Sequence, residues 1–258
     1  MILNVEALAK RFPGGVEAVR DVSFQADAGE LVALVGESGC GKTTTLKCIN
    51  RLLEPSGGRI EVDGADVTAT DAVALRRRIG WVMQGDGLFP HLSAAANIAV
   101  TPKLLGWPDA EIAARVDELL DLVRLNPDEF RDRRPSDMSG GQRQRVGVAR
   151  ALASRSKLIL MDEPFGALDP ITRDGLRTDV MALKDKLGFA AVLVTHDMAE
   201  ALLTADRIAV MDQGRIIQYG APSDLLAHPA DPIVERMLET PLREARRVRE
   251  LTEGRADV

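Results

Sequence analysis

The sequence predicts an α/β fold around a largely parallel sheet, on three observations. Short apolar runs alternate with longer segments of helical period. One of those runs, Leu31 to Val35 (LVALV), leads straight into the glycine-rich stretch GESGCGKTT, Gly36 to Thr44. With 258 residues, 45% of them hydrophobic, the chain can bury a sizeable core, as one large domain or as a core with a smaller subdomain.

Leu31 to Val35 is a continuous apolar run, as expected of a strand buried on both faces, and Lys42 to Leu52 then reads as a helix. Ile60 to Val62 and Ile79 to Met83 follow as strands. From about Gly85 to Ala153 the alternation lapses. Helical patterns at Asp109 to Val123 and Gly141 to Ala153 occur there without a strand pattern, which marks an inserted helical subdomain. The alternation then resumes with strand Leu158 to Met161 (LILM), helix Ile171 to Leu187, strand Ala191 to Val194, helix Met198 to Leu203, and strands Ile208 to Met211 and Ile216 to Tyr219. Residues 1–240 read as one domain. The charged stretch from Thr240 reads as a frayed helix or disordered, so 241–258 is expected to be a tail. There is no internal repeat and no low-complexity segment.

The net charge of -6 and a pI near 5.3 argue against nucleic acid as a partner, since phosphate-backbone binders carry a basic excess. The arginines at 76–78, 131–134 and 243–249 read as solvated faces. Two cysteines, Cys40 and Cys48, with no histidine at metal-ligand spacing, fit a reduced, cytosolic chain. Asn4, Glu6, Lys10 and Arg11 interrupt the apolar run that a signal peptide would need. No apolar stretch approaches the roughly 18 residues of a membrane span, so the chain is not expected to cross a membrane.

Gly36 to Thr43 fits GxxxxGK[ST] between an expected strand and an expected helix, the context of a phosphate loop. Glycine lets successive N–H groups converge on phosphate oxygens, and the helix N-terminus favours negative charge. Lys42 would reach the terminal phosphates and the Thr43 hydroxyl would bind Mg²⁺. LILMDE, Leu158 to Glu163, is an apolar strand ending in two carboxylates. Asp162 can hold Mg²⁺ through water, and Glu163 is placed to orient or deprotonate an attacking water. No NKxD stretch reads guanine, which disfavours a GTPase of the usual type.

A second anion-seeking helix start lies in MSGGQRQRVGVARAL, Met138 to Leu152, where Ser139, Gly140, Gly141 and Gln142 precede a helical pattern. Here the chain resembles the ATP-binding cassette (ABC) ATPases, whose signature is LSGGQ. The resemblance runs from about Leu3 to Gly220 with the motifs in the family's order; Met138 replaces the signature leucine, a swap that keeps volume and apolarity. It implies a P-loop NTPase fold with an N-terminal antiparallel β subdomain. The core with that β subdomain would take about 1–84 and 154–220, and the helical subdomain about 85–153.

The resemblance also implies a head-to-tail, ATP-dependent homodimer in which each ATP lies between one subunit's phosphate loop and the other's signature. Phe12 resembles the aromatic that stacks on adenine. Gly36, Ser38, Gly39, Cys40, Gly41, Lys42, Thr43 and Thr44 would form the phosphate loop. Gln84 matches the glutamine that touches Mg²⁺ and the attacking water, and His196 in VTHD matches the switch histidine. Ser139, Gly140, Gly141, Gln142 and Asp169 would act in trans. Because the ATP cycle does mechanical work only on something attached, the family resemblance implies transmembrane permease subunits, coupled through Gln84 and the helical segment after it. Through the permease it also implies an extracytoplasmic substrate-binding protein, with this chain peripheral on the cytoplasmic face of the membrane.

A finer resemblance lies in QGDGLFPHLSAAANIAVTPKLLGW, Gln84 to Trp107. GLFPH, Asn97 and PKLLGW look like the ATPase subunits of importers for osmoprotectants and other quaternary amines, such as glycine betaine, choline or carnitine. Many of those carry C-terminal CBS domains, for which this sequence is too short. Two other readings stay open: an ATP-driven regulatory or scaffolding switch without transport, and an importer ATPase for a different small solute such as an amino acid.

Overall fold

The computed structural model describes residues 1–85 and 87–253. Strands β1 (Leu3–Arg11) and β2 (Glu17–Ala26) pair antiparallel at the start of the chain. β1 buries Leu3, Val5 and Leu8, and β2 buries Val19, Val22, Phe24 and Ala26. The register slips between Val5 and Leu8 and again between Leu8 and Lys10. These bulges break the simple alternation, so no strand was legible there from periodicity.

β3 (Leu31–Val35) is buried at every position and feeds α1 (Lys42–Ile49). α1 stops short of the expected Leu52 because Asn50 caps it and Arg51 turns the backbone to φ +53°. β4 (Gly57–Val62), β5 (Ala65–Asp66), α2 (Ala72–Arg78) and β6 (Ile79–Val82) follow. Asp71 caps α2 by accepting the Ala74 N–H at 2.8 Å.

Next come α3 (Ala94–Leu104), α4 (Asp109–Leu122), the single turn α5 (Pro127–Phe130), a 3-10 turn at Pro135–Asp137 and α6 (Gly140–Leu152). α3 was not foreseen: Pro102 reads as a breaker, yet it sits in the helix's last turn. β7 (Leu158–Asp162), α7 (Pro170–Leu187), β8 (Ala190–Thr195), α8 (Met198–Thr204), β9 (Arg207–Asp212) and β10 (Arg215–Gly220) restore the alternation, and α9 (Pro222–Ala227) and α10 (Pro232–Glu253) follow. α10 runs through Thr240 and Pro241 to Glu253, over the stretch expected to be a frayed helix or disordered. Its first turns bury Val234 and Leu238, which anchor the rest. Residues 254–258 of that expectation lie outside the described residues.

Among the described residues the strands form two sheets, an antiparallel one ordered β2-β1-β4-β5 and a mixed one ordered β10-β9-β3-β8-β7-β6. In the second, all neighbours from β9 to β6 are parallel and only β10 runs against β9. The fold is therefore α/β, with a mostly parallel sheet and an N-terminal antiparallel sheet. Alternate residues of each central strand enter opposite cores. Leu31, Ala33, Val35, Ile159, Met161, Ala191 and Leu193 pack with the helices between β6 and β7 and with α7. Val32, Leu34, Leu158, Leu160, Val192 and Val194 pack with α1 and the antiparallel sheet. The sheet is thus clamped on both faces, which holds the loops at the C-terminal ends of β3, β7 and β8 in fixed relation. No helix among the described residues is long and apolar enough to cross a membrane.

Candidate functional site

The loop from Gly36 to Gly41 joins β3 to α1, and its glycines are needed for two different reasons. Gly41 caps α1 at φ +108°, and a Cβ there would collide with the Ala18 carbonyl oxygen. A Cβ at Gly36 would strike the Met211 carbonyl oxygen of β9 and the Cys40 Sγ, so Gly36 serves packing. Cys40 is buried among the core residues, which leaves only its backbone for a ligand. Ser38, Gly39, Gly41, Lys42, Thr43 and Thr44 line a small hollow, closed on its far side by Glu163. Lys42 is buried, and its Nζ donates to the carbonyls of Gly36 at 2.7 Å and Glu37 at 2.8 Å. The ammonium is thereby held at the loop.

The ends of β7 and β8 bring the acidic and imidazole groups to the same hollow. Thr43 Oγ1 donates to Asp162 Oδ1 at 2.9 Å. Burial pushes the Asp162 carboxyl above its usual pKa, against the lowering effect of that hydrogen bond and of Lys47. Glu163 takes the left-handed backbone conformation, φ +44°, and donates its N–H to the Val194 carbonyl at 3.0 Å. Its carboxylate is gripped from both sides: Gln84 Nε2 donates to Oε2 at 3.3 Å, and His196 Nδ1 lies 3.2 Å from Oε1. Asp162 ends β7 and Glu163 follows it, while Gln84 and His196 lie just past the ends of β6 and β8, so the parallel order of these strands assembles them.

Two residues that sequence reasoning passed over hold His196. Thr195 Oγ1 accepts the Asp197 N–H at 3.0 Å, and Asp197 caps α8 by accepting the N–H groups of Ala199 at 2.9 Å and Glu200 at 3.2 Å. The signal was present in Thr-His-Asp just ahead of a helical pattern.

The structure does not bring the other expected residues to this hollow. Ser139 is the N-cap of α6: its N–H donates to Gln142 Oε1 at 2.9 Å, and its Oγ accepts the Gln142 N–H at 3.3 Å, a reciprocal cap. Gly141 lies so close to Thr172 of α7 that a Cβ would meet the Thr172 methyl. Asp169 caps α7 through the Thr172 N–H at 3.1 Å, and hydrogen bonds from Thr172 hold its carboxyl below the usual range. α6 and α7 thus begin side by side, with Gly140 exposed at their shared end. Phe12 is half-buried in the β1–β2 turn, with Lys10 Nζ 5.2 Å from its ring centre. A larger hollow, of about 680 Å³, opens beside Gln84; Leu52, Trp81, Met83, Phe89, Val100 and Arg150 wall it.

Residues 19–166, from β2 to the turn after β7, match the ABC transporter family. The choline transport ATP-binding protein OpuBA of Bacillus subtilis (strain 168) is 51% identical over 237 residues, covering 92% of this chain and 62% of that protein. The glycine betaine/carnitine/choline transport ATP-binding protein OpuCA of the same organism is 50% identical over 237 residues, with the same coverage. The chain therefore spans 62% of the length of each of these curated relatives. Among solved structures, the dimeric ATP-binding cassette MJ0796 bound to ADP and Pi aligns with a TM-score of 0.77 at 30% identity, covering 86% of this chain and 99% of that one. Sequence match and backbone agree over the same segment that builds the hollow, and the chain belongs to the ABC transporter family.

Proposed function

We propose that the chain is the ATP-hydrolysing subunit of an ABC importer, and that its solute is a quaternary amine such as glycine betaine, choline or carnitine. The observation that carries this reading is the Glu163 carboxylate, held between Gln84 and His196 at the edge of the phosphate-loop hollow. In the proposed reaction the backbone N–H groups of Gly39 to Thr44 and the Lys42 ammonium hold the triphosphate. Water attacks the γ-phosphorus, the bond to the bridging oxygen of ADP breaks, and the water's proton passes to Glu163. Gln84 and His196 fix the carboxylate that receives it.

Thr43 Oγ1, the Asp162 carboxylate and the Gln84 amide oxygen are the hard oxygen donors that Mg²⁺ takes when nucleotide phosphates supply the rest. The Thr43 hydroxyl can offer a lone pair to the ion while still donating to Asp162. Bound Mg²⁺ would neutralise charge on the terminal phosphates.

Ser139, Gly140, Gly141, Gln142 and Asp169 would serve the partner subunit's ATP in a head-to-tail dimer. Their position at the shared start of α6 and α7, apart from their own chain's hollow, supports this, as does the dimeric state of the cassette MJ0796. Phe12 would stack on adenine. The groove beside Gln84 would seat a cytoplasmic segment of the permease, and the chain would lie at the cytoplasmic face of the membrane. The permease in turn would receive solute from an extracytoplasmic binding protein. The names of the half-identical relatives and the PKLLGW stretch support the solute class.

The test is steady-state phosphate release. Glu163→Gln is expected to lose roughly two to four orders of magnitude in turnover while keeping ATP binding. Turnover equal to that of the unaltered chain would overturn the assignment.

A further inference from the structure

Asn97 is fully buried in the first turn of α3, and its amide is spent on one loop. Its Oδ1 accepts the Phe89 N–H at 2.8 Å, and its Nδ2 faces the carbonyls of Phe89 at 3.2 Å, Leu92 at 3.2 Å and Ser93 at 3.0 Å. The loop is poor in bonds of its own: Pro90 has no N–H, and within it Leu92 donates to Phe89 O at 3.1 Å. A single side chain therefore ties down both backbone groups of Phe89 and the carbonyls of Leu92 and Ser93.

What the loop presents matters more than what holds it. Phe89 is 44% exposed and walls the large groove, whereas its neighbour Leu88 is buried in the core. Arg150 of α6 lies 5.8 Å from the Phe89 ring and donates to the Gly87 carbonyl at 2.9 Å. Gln84, which donates to the Glu163 carboxylate, stands five residues ahead of Phe89 on the same stretch of chain. Gln84 thus touches the reacting carboxylate and, with Phe89, lines the groove, where Asn97 pins Phe89.

We propose that Asn97 is a positioning residue that fixes the Phe89 wall of the groove, so that seating of the permease segment is relayed along the chain to Gln84 and Glu163. The inference rests on the proposed function and deepens it. Asn97 touches neither nucleotide nor permease; it acts through the loop.

The experiment uses the chain assembled with its permease in proteoliposomes, beside the chain alone. Asn97→Ala is expected to lower permease-stimulated ATP turnover roughly tenfold, the scale of a typical coupling between sites. ATP affinity and permease-free turnover are expected to change by less than about twofold, on the additivity expected of sites without shared partners. Undiminished stimulation would overturn the proposal, and so would a loss of ATP affinity in step with it, the mark of a general folding defect. In a double-mutant cycle, Asn97→Ala added to Phe89→Ala is expected to cost little further stimulation; fully additive losses would contradict the relay. Should Asn97→Ala not fold, hydrogen exchange on the unaltered complex decides the matter. Nucleotide addition is expected to change protection of the Phe89 and Leu92 amides, and unchanged protection overturns the proposal. A chain whose hydrolysis does not depend on Glu163 would instead defeat the proposed function itself.

Discussion

At the scale of single residues, the site depends on backbone positions that most side chains cannot adopt. Gly41 at φ +108° and Glu163 at φ +44° flank the hollow, and the pinning of Glu163 to Val194 of β8 offsets its strain. In the proposed function Lys42 is the cation that the loop supplies for a triphosphate. Lys42→Ala is expected to weaken ATP binding by at least about tenfold, the worth of one charge-assisted hydrogen bond, measured by calorimetry; unchanged affinity would remove the lysine from its role. Glu200 offers a pH test beside the His196 turn. Burial, above all, raises its pKa, with its neighbour Asp197 adding to the rise and a hydrogen bond from Thr195 opposing it. Because its folded pKa stands above the unfolded value, its contribution to stability is complete below about pH 4.5 and is lost as the pH rises through the folded pKa. Glu200→Gln is therefore expected to raise the melting temperature at pH 8 and to leave it nearly unchanged at pH 4. A larger gain at pH 4 would reverse the sign of the argument.

At the scale of elements, legibility followed burial. The runs LVALV, LILM and AVLV read as strands because parallel strands buried on both faces need no polar alternation, and β3, β7 and β8 are buried at every position. β1 and β2, which the family resemblance implied, were not legible from periodicity because their bulges interrupt the period of two, and α3 was missed because Pro102 masks its last turn. The phosphate loop and the carboxylate pair were legible as contiguous motifs. The grip on Glu163 from Gln84 and His196 was not, since it joins residues 79 and 33 positions apart, which only the strand order brings together. The groove beside Gln84 likewise draws on α1, β6, α3 and α6 and has no local signal. The side-by-side starts of α6 and α7 carry a prediction of their own. Ser139→Arg places a long charged side chain at the N-cap, where it is expected to spare ATP binding and abolish ATP-driven dimerisation in size-exclusion chromatography. Dimers that persist would argue against a composite site.

At the scale of the whole molecule, the two cores on either face of the mixed sheet hold three candidate surfaces in register. These are the phosphate-loop hollow, the shared helix starts and the groove beside Gln84. In the proposed cycle ATP joins the first surface of one subunit to the second of its partner, and charge-assisted hydrogen bonds to the γ-phosphate close the pair. Phosphate release removes those bonds and the pair opens, moving whatever the third surface holds. The most direct measurement is phosphate release from proteoliposomes containing this chain, its permease and its binding protein, with and without glycine betaine, choline or carnitine on the binding-protein side. The account expects at least one of these amines to stimulate release, and Glu163→Gln to abolish the stimulated rate. Release that none of the three alters, or that survives Glu163→Gln, would contradict it.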